Sequence, residues 1–227
     1  MIKKIHYCWF GGKDKPADVL NYIETWKKNM PDFDIIEWNE GNFDIQQCAF
    51  ASQAYYLKRY AFVSDYVRMK VLYEYGGLYL DTDIKMFKSL ACLCKEGDFV
   101  GLECDGRYGT GIIYANPKAL WIKKMIDFYE SHYFIKNGGM LRTTPNTYLL
   151  TSFFPNSSIG IKILPFDYLT AKDWKTGEYK ITENTYCIHE YSKSWVKKNR
   201  KNYGPKFRMK NLIKLVQWFC SHVILNR

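Results

Sequence analysis

The feature that most restricts this chain is the run Leu72-Tyr73-Glu74-Tyr75-Gly76-Gly77-Leu78-Tyr79-Leu80-Asp81-Thr82-Asp83. Residues 61–75 carry apolar side chains at a helical period, with Ser64 expected to cap or begin the helix. The glycine pair predicts its end, because a residue without a Cβ can take the backbone angles of a helix stop. Leu78 to Leu80 then predicts a short buried strand whose carboxyl end is acidic. If extended geometry continued, Asp81 and Asp83 would point the same way.

The amino-terminal end sets the architecture around that strand. Residues 5–10 are apolar and run into Gly11-Gly12, and residues 16–28 place Val19, Leu20, Ile23 and Trp26 on one helical side. Residues 34–38 predict a second strand, so the first forty residues read as a β-α-β unit of a parallel sheet. Further strands are expected at residues 99–103, 111–115, 160–164 and 186–189, and helices at 117–136 and 145–154. There is no internal repeat. The fold class expected is α/β, a Rossmann-type nucleotide-binding mixed sheet flanked by helices, with ligands at the strand carboxyl ends.

Charge narrows the partners. The net charge is +10, but of 33 basic residues ten lie from Lys193 onward, where there is no acid, so the rest of the chain balances at 23 against 23. The body needs no polyanion, and no nucleic-acid partner is expected. Seven scattered cysteines without a Cys-x-x-Cys pair suggest a reducing compartment. No apolar run reaches the length of a spanning helix, and His6 interrupts anything like a signal sequence. A cytoplasmic location is expected.

An Asp-x-Asp triplet alone means little, and Asp32-Phe33-Asp34 is a second one. Asp32 follows Pro31 in a turn before a strand, whereas Asp81 and Asp83 lie beyond a strand end, where a ligand crevice belongs. Carboxylates gathered there repel unless a cation sits between them, and hard oxygen donors suit Mg²⁺ or Mn²⁺. Asp65 and Arg68 share a face of the preceding helix. They can form an intrahelical ion pair, or Arg68 can offer forked donors to phosphate or sugar hydroxyls. Four histidines without a paired motif argue against a two-metal phosphatase or nuclease.

The run Ala61-Phe62-Val63-Ser64-Asp65-Tyr66-Val67-Arg68, continued through Leu72 to Asp83, resembles the sugar-binding region of glycosyltransferase family 32. Ile5-His6-Tyr7-Cys8-Trp9-Phe10-Gly11-Gly12 and the segment from His189 to Trp195 are similar to other patterns of that family. The resemblance implies a GT-A-like domain over residues 1–204. It implies a metal-dependent hexosyltransferase that moves a hexose from a UDP-sugar or GDP-sugar donor to a saccharide acceptor in bacterial surface-polysaccharide biosynthesis, an acceptor that the basic tail would suit if it were lipid-linked. It also implies retention; with no carboxylate in the sequence that can be named as a covalent nucleophile, attack is expected on the face from which the diphosphate leaves, the departing phosphate taking the acceptor's proton. Asp65 and Arg68 would contact donor sugar or phosphates, Asp81 the ribose or sugar and the metal, and Asp83 the metal directly. Trp9 would stack on the base, though as a residue it reads equally well as core. His189 or Ser194 would complete the metal site, with Trp195 beside the diphosphate.

Residues 205–227 predict a basic amphipathic helix, with Leu212, Leu215, Val216, Phe219 and Val223 on one face. It suits packing on the body or a peripheral contact with an anionic membrane at the inner face. Two other functions compete: a toxin-like transferase that glycosylates protein, and a basic membrane- or nucleic-acid-binding module without catalysis.

Overall fold

The computed structural model describes residues 1–155 and 159–192, together with Ile213 and Gln217. Five strands of the first half build most of the main sheet. They are β1 (Lys4–Cys8), β2 (Asp34–Trp38), β3 (Gly77–Leu80), β5 (Phe99–Leu102) and β6 (Tyr108–Ala115), and β7 (Lys162–Leu164) completes an edge in the order β2-β1-β3-β6-β5-β7. β1 runs parallel to both β2 and β3, β6 is antiparallel to its two neighbours, and β5 is parallel to β7. The expected β-α-β opening is present, with α1 (Ala17–Asn29) between β1 and β2. One reversed strand makes the sheet mixed.

Alternation along the strands divides the core into two layers. Leu78 and Leu80 join Ile5, Tyr7, Trp26, Ile112 and Tyr114 on the face covered by α1. Tyr79 joins Cys8, Ile113 and Ala115 on the other face, under α2 (Ala49–Tyr56), α3 (Tyr60–Tyr75) and α5 (Leu120–Glu130). α3 is almost wholly sunk, with Phe62, Val63, Asp65, Tyr66, Val67, Arg68, Met69, Val71 and Leu72 all buried. A helix with polar residues on its buried side needs internal partners for them, and these are supplied at the candidate site.

Several local expectations are corrected. Ser64 lies inside α3 and spends its hydroxyl on the Tyr60 carbonyl at 3.1 Å, while Arg59 precedes the helix with no side-chain cap. The helix expected at 117–136 is only Leu120–Glu130, because Lys118 takes a left-handed φ of 63° and donates its N–H to Tyr73 O. Three helices and a strand escaped the periodicity: α2, α4 (Ala91–Lys95), α7 (Phe166–Leu169) and β4 (Ile84–Met86). α6 (Asn146–Phe153) matches its expected helix closely. β4 leaves the main sheet and pairs antiparallel with β8 (Cys187–His189).

Gly76 ends α3 as the sequence implies. Its φ is 62°, its N–H still reaches Leu72 O at 2.9 Å, and a Cβ there would lie 2.8 Å from the backbone nitrogen of Pro117. Of the expected basic tail helix, Ile213 and Gln217 are helical, and Gln217 accepts a hydrogen bond from the Tyr56 hydroxyl at 3.3 Å. The remainder of that helix lies outside the described residues. None of the six described cysteines forms a disulfide, and no described helix is long and apolar enough to cross a membrane.

His6 pins the turn to the sheet. Its ring is fully buried, with Nε2 2.9 Å from Gly76 O and Nδ1 accepting from Trp38 Nε1 at 3.1 Å, a pattern that fits the neutral ring protonated on Nε2. Burial lowers its pKa to about 4, with nearby Lys4 adding to the fall and the Gly76 bond opposing it. Between that value and the unfolded value near 6.5 the unfolded chain binds the extra proton, so stability falls as pH drops through this window and levels off below it. The loss expected is about 3 kcal/mol. Urea unfolding at pH 7 and pH 4.5 should show this component in the native chain and lack it in His6→Gln; an equal acid loss in both would remove His6 from the account.

Candidate active site

Asp81 follows directly from β3. Its N–H donates to Gly111 O at 2.8 Å, which holds the first acidic residue against β6. The chain then turns at once, with Ile84 N–H donating to Asp81 O at 3.1 Å. The extended geometry expected through Asp83 therefore does not persist, because the chain must leave the sheet to form β4. Convergence of the two carboxylates comes instead from the β4–β8 ribbon. Ile84 pairs with His189, and the Glu190 N–H donates to Asp83 O at 2.9 Å.

This ribbon brings Asp81, Asp83 and His189 together, with one ligand atom of each within 4.8 Å of the others. Asp83 Oδ1 lies 3.1 Å from His189 Nε2, and its Oδ2 accepts from both the N–H and the hydroxyl of Ser192 at 2.9 Å. Burial would raise the Asp83 carboxyl, but the His189 charge and these hydrogen bonds hold it well below the usual carboxylate range. Burial would likewise lower His189, yet Asp83, then Asp81 and Glu103, raise it to about 9. His189 thus sits among carboxylates that favour its protonated form. The Tyr191 ring stacks on His189 at 3.9 Å and fixes its plane.

Arg68 anchors the other side of Asp81. Its NH1 lies 3.3 Å from Asp81 Oδ2 and 2.6 Å from Thr110 O, its NH2 lies 3.2 Å from Asp81 Oδ1 and from Asp65 Oδ1, and its Nε donates to Ser64 O. The guanidinium also stands over the Tyr79 ring at 4.7 Å, and the Tyr79 hydroxyl donates to Asp81 Oδ1. All three nitrogens are engaged inside the protein, so the fork points at Asp81 rather than at open space. Burial raises Asp65 to about 7, Arg68 pulling the other way and Asp81 adding to the rise.

Trp9 lies beyond β1 on a cleft of about 420 Å³, lined also by Lys13, Lys15, Leu20, Glu37 and Asn39. Its indole N–H donates to Lys13 O at 2.6 Å, and Lys15 Nζ stands 6.0 Å from its ring centre. It is partly buried and packs on one edge of the core. Because β1 and β3 are parallel neighbours, this cleft and Asp81 lie at the same end of the sheet. Asp32 sits away from all of this, its exposed carboxylate 3.6 Å from Lys3 Nζ.

Ser194 and Trp195 lie outside the described residues. Within them, Ser192 is the serine that meets Asp83, and sequence reading missed it along with Tyr79, Thr110, Tyr191 and Gly111. Ser192, two residues before Ser194, was a signal for the first, and Tyr79 lies inside the run that carries the resemblance, whereas Thr110 and Gly111 are placed by β6 and Tyr191 by the left-handed backbone at φ 49° after β8.

Gly111 gives the cluster its room. A Cβ on it would lie 2.9 Å from His189 Cε1 and 3.0 Å from Asp81 Oδ2, closer than real contacts allow without movement. Gly111→Ala should therefore fold, because this strand position suits any residue's backbone, but should bind Mn²⁺ at least about tenfold more weakly, a loss of about 1.4 kcal/mol. Titration followed by the Mn²⁺ electron paramagnetic resonance signal measures it, and unchanged affinity would show that the ion does not use His189 and Asp81 together.

Residues 16–100 match the model of the glycosyltransferase sugar-binding region containing a DXD motif. No curated protein matches the chain. Among solved structures, the PaToxG glycosyltransferase is similar at 22% identity and a TM-score of 0.43, covering 55% of this chain and 58% of that one. An active-site mutant of LgtC is similar at 13% identity and 0.47, covering 92% and 95%. A glycosyltransferase involved in glycosylation of the major capsid of PBCV-1 is similar at 11% and 0.49, covering 85% and 96%. The matched segment runs from α1 into β5 and contains Asp65, Arg68, Asp81 and Asp83, so it is over this part that the chain is similar to the DXD-containing sugar-binding region of glycosyltransferases.

Proposed function

We propose that the enzyme moves a hexose from a nucleotide-diphosphate sugar, UDP- or GDP-linked, to a saccharide acceptor with divalent-metal assistance and retention of anomeric configuration, in bacterial surface-polysaccharide biosynthesis. The observation that carries the reading is the convergence of Asp81, Asp83 and His189 at the strand end that the parallel β1 and β3 share with the Trp9 cleft. Two carboxylates and an imidazole suit Mn²⁺ or Mg²⁺, and the bare Gly111 backbone beneath them leaves space that a methyl would fill. When bound there, the ion would neutralise charge on the leaving diphosphate as a Lewis acid.

The chain's own residues prepare that site. Arg68 and the Tyr79 hydroxyl fix the Asp81 carboxylate, and Ser192 fixes Asp83, so neither must reorganise when charge develops nearby. Arg68 is assigned as a positioning residue, since its nitrogens are taken up by Asp65, Asp81, Ser64 and Thr110. Trp9 is assigned to the nucleotide base, as a flat partly buried ring on a cleft wall. The remaining metal-site and diphosphate contacts proposed for Ser194 and Trp195 rest on the family resemblance.

A panel of nucleotide sugars tested for hydrolysis with and without Mn²⁺ names the donor and tests the metal at once. Asp83→Ala should lower turnover of the hydrolysed donor about 100-fold or more, the usual worth of an electrostatic stabiliser. Asp32→Ala, a substitution at an exposed ion pair, should change it less than about twofold. Equal losses in the two variants, or hydrolysis indifferent to chelation of the metal, would contradict the assignment.

A further inference from the structure

Glu103 is a buried carboxylate that the account above does not use. It follows β5, only 6% of its surface is exposed, and its backbone N–H donates to Arg107 O at 2.7 Å across the β5–β6 hairpin. Its Oε2 accepts from the Tyr191 hydroxyl at 2.8 Å, and the Tyr191 ring is the one stacked on His189. Glu103 thus stands one tyrosine's length from the metal-site imidazole. Its Oε1 has no hydrogen-bond donor among the described residues, which leaves one oxygen of a buried carboxylate for an incoming donor.

A glycine lies beside Glu103 on β6. A Cβ on Gly109 would lie 3.5 Å from Glu103 Oε1, an ordinary contact, whereas one on Gly111 would press on Asp81 and His189. β6 therefore sets a glycine beside each acidic group and sends no side chain toward either from these two positions of a fully buried strand. The outer wall is aromatic and charged. Arg107 pairs with Asp105 and stands 3.8 Å over the half-exposed Tyr148 ring and 5.6 Å from that of Trp174. Flat rings beside fixed polar groups suit the apolar face and the hydroxyls of a sugar ring.

We infer that Glu103 receives the attacking hydroxyl of the acceptor, so that the acceptor sugar lies on the hairpin side of the site between Glu103 and the Arg107–Trp174–Tyr148 wall. The inference rests on the glycosyltransferase reading of the same site and adds the group that takes the proton. As the acceptor oxygen bonds to the anomeric carbon, the bond from that carbon to the diphosphate oxygen breaks and its electron pair leaves on the diphosphate. The hydroxyl proton passes to Glu103 Oε1 and then to solvent, in place of the departing phosphate oxygen expected from the sequence. Burial raises the Glu103 carboxyl above its ordinary value and Asp105 adds to the rise, while His189, the Tyr191 bond and Arg107 hold it down. That balance suits a base that must take and release a proton.

The test is Glu103→Gln, which keeps size and shape, measured on the full chain by two readouts. One is the rate of Mn²⁺-dependent hydrolysis of whichever nucleotide sugar the wild type cleaves, in which water takes the acceptor's place. The other is Mn²⁺ affinity by electron paramagnetic resonance, which needs no turnover. The expected result is a loss of about 100-fold or more in hydrolysis, the range for a lost general base, with Mn²⁺ affinity within about twofold and an unchanged thermal transition. A parallel fall in hydrolysis and Mn²⁺ affinity would overturn the inference, placing Glu103 behind Tyr191 as a support for His189. Hydrolysis kept near the wild-type rate would overturn it too. A wild type that cleaves no nucleotide sugar would instead sink the glycosyltransferase reading, and this inference with it. If the glutamine variant unfolds, Glu103→Asp gives the same discrimination, since it keeps the charge but withdraws the carboxylate from the hydroxyl.

Discussion

The buried guanidinium of Arg68 is the interaction on which the site depends. It is 6% exposed at its side chain, and it faces Asp65 and Asp81 from within a helix that is otherwise packed with apolar residues. A charge so placed is tolerated only with its partners complete, and breaking such a pair from one side typically costs about 3–5 kcal/mol. That cost fixes the rotation of α3 against β3 and β6, and through it the direction in which Asp81 faces. The polar residues of α3 are therefore the means by which a core helix aims a carboxylate at the sheet's ligand end.

The second half of the site comes from far along the chain. Asp83 and His189 meet because β4 and β8 pair outside the main sheet, a ribbon of three residues on each side. Its ends carry one of the two carboxylates, the imidazole, and the Ser192 and Tyr191 contacts that orient them. Arg68 and the ribbon act from opposite directions, one through the helical layer and one across the sheet's end. The His189–Asp83 ion pair ties the two sides of the ribbon together, with the carboxylates around it favouring the protonated imidazole.

Much of this was legible in the sequence, for identifiable reasons. The Gly76-Gly77 stop, the short β3 and the acidic end obey local rules of backbone geometry and apolar patterning, and β2 is found at residues 34–38 as expected. The Asp65–Arg68 pairing follows from helical spacing alone. What failed had tertiary causes. β4 is three residues long and follows a turn, so no period could announce it, and without it the route of Asp83 to His189 was invisible. The engagement of every Arg68 nitrogen depends on Ser64 O and Thr110 O, which are backbone atoms that a sequence does not place. Glu103 had no motif around it, and only the bare glycines of β6 and the Tyr191 bond give it meaning.

The central claim is that Asp81, Asp83 and His189 hold one divalent ion that also carries the donor's diphosphate. Crystals grown with MnCl₂ and a nucleoside diphosphate, measured at the manganese absorption edge, address it most directly. The account predicts a single strong anomalous peak bonded to the Asp83 carboxylate, with His189 turned from its ion pair onto the metal and diphosphate oxygens completing the shell. A peak elsewhere on the protein, or a bound nucleotide with no metal between it and Asp83, would contradict it.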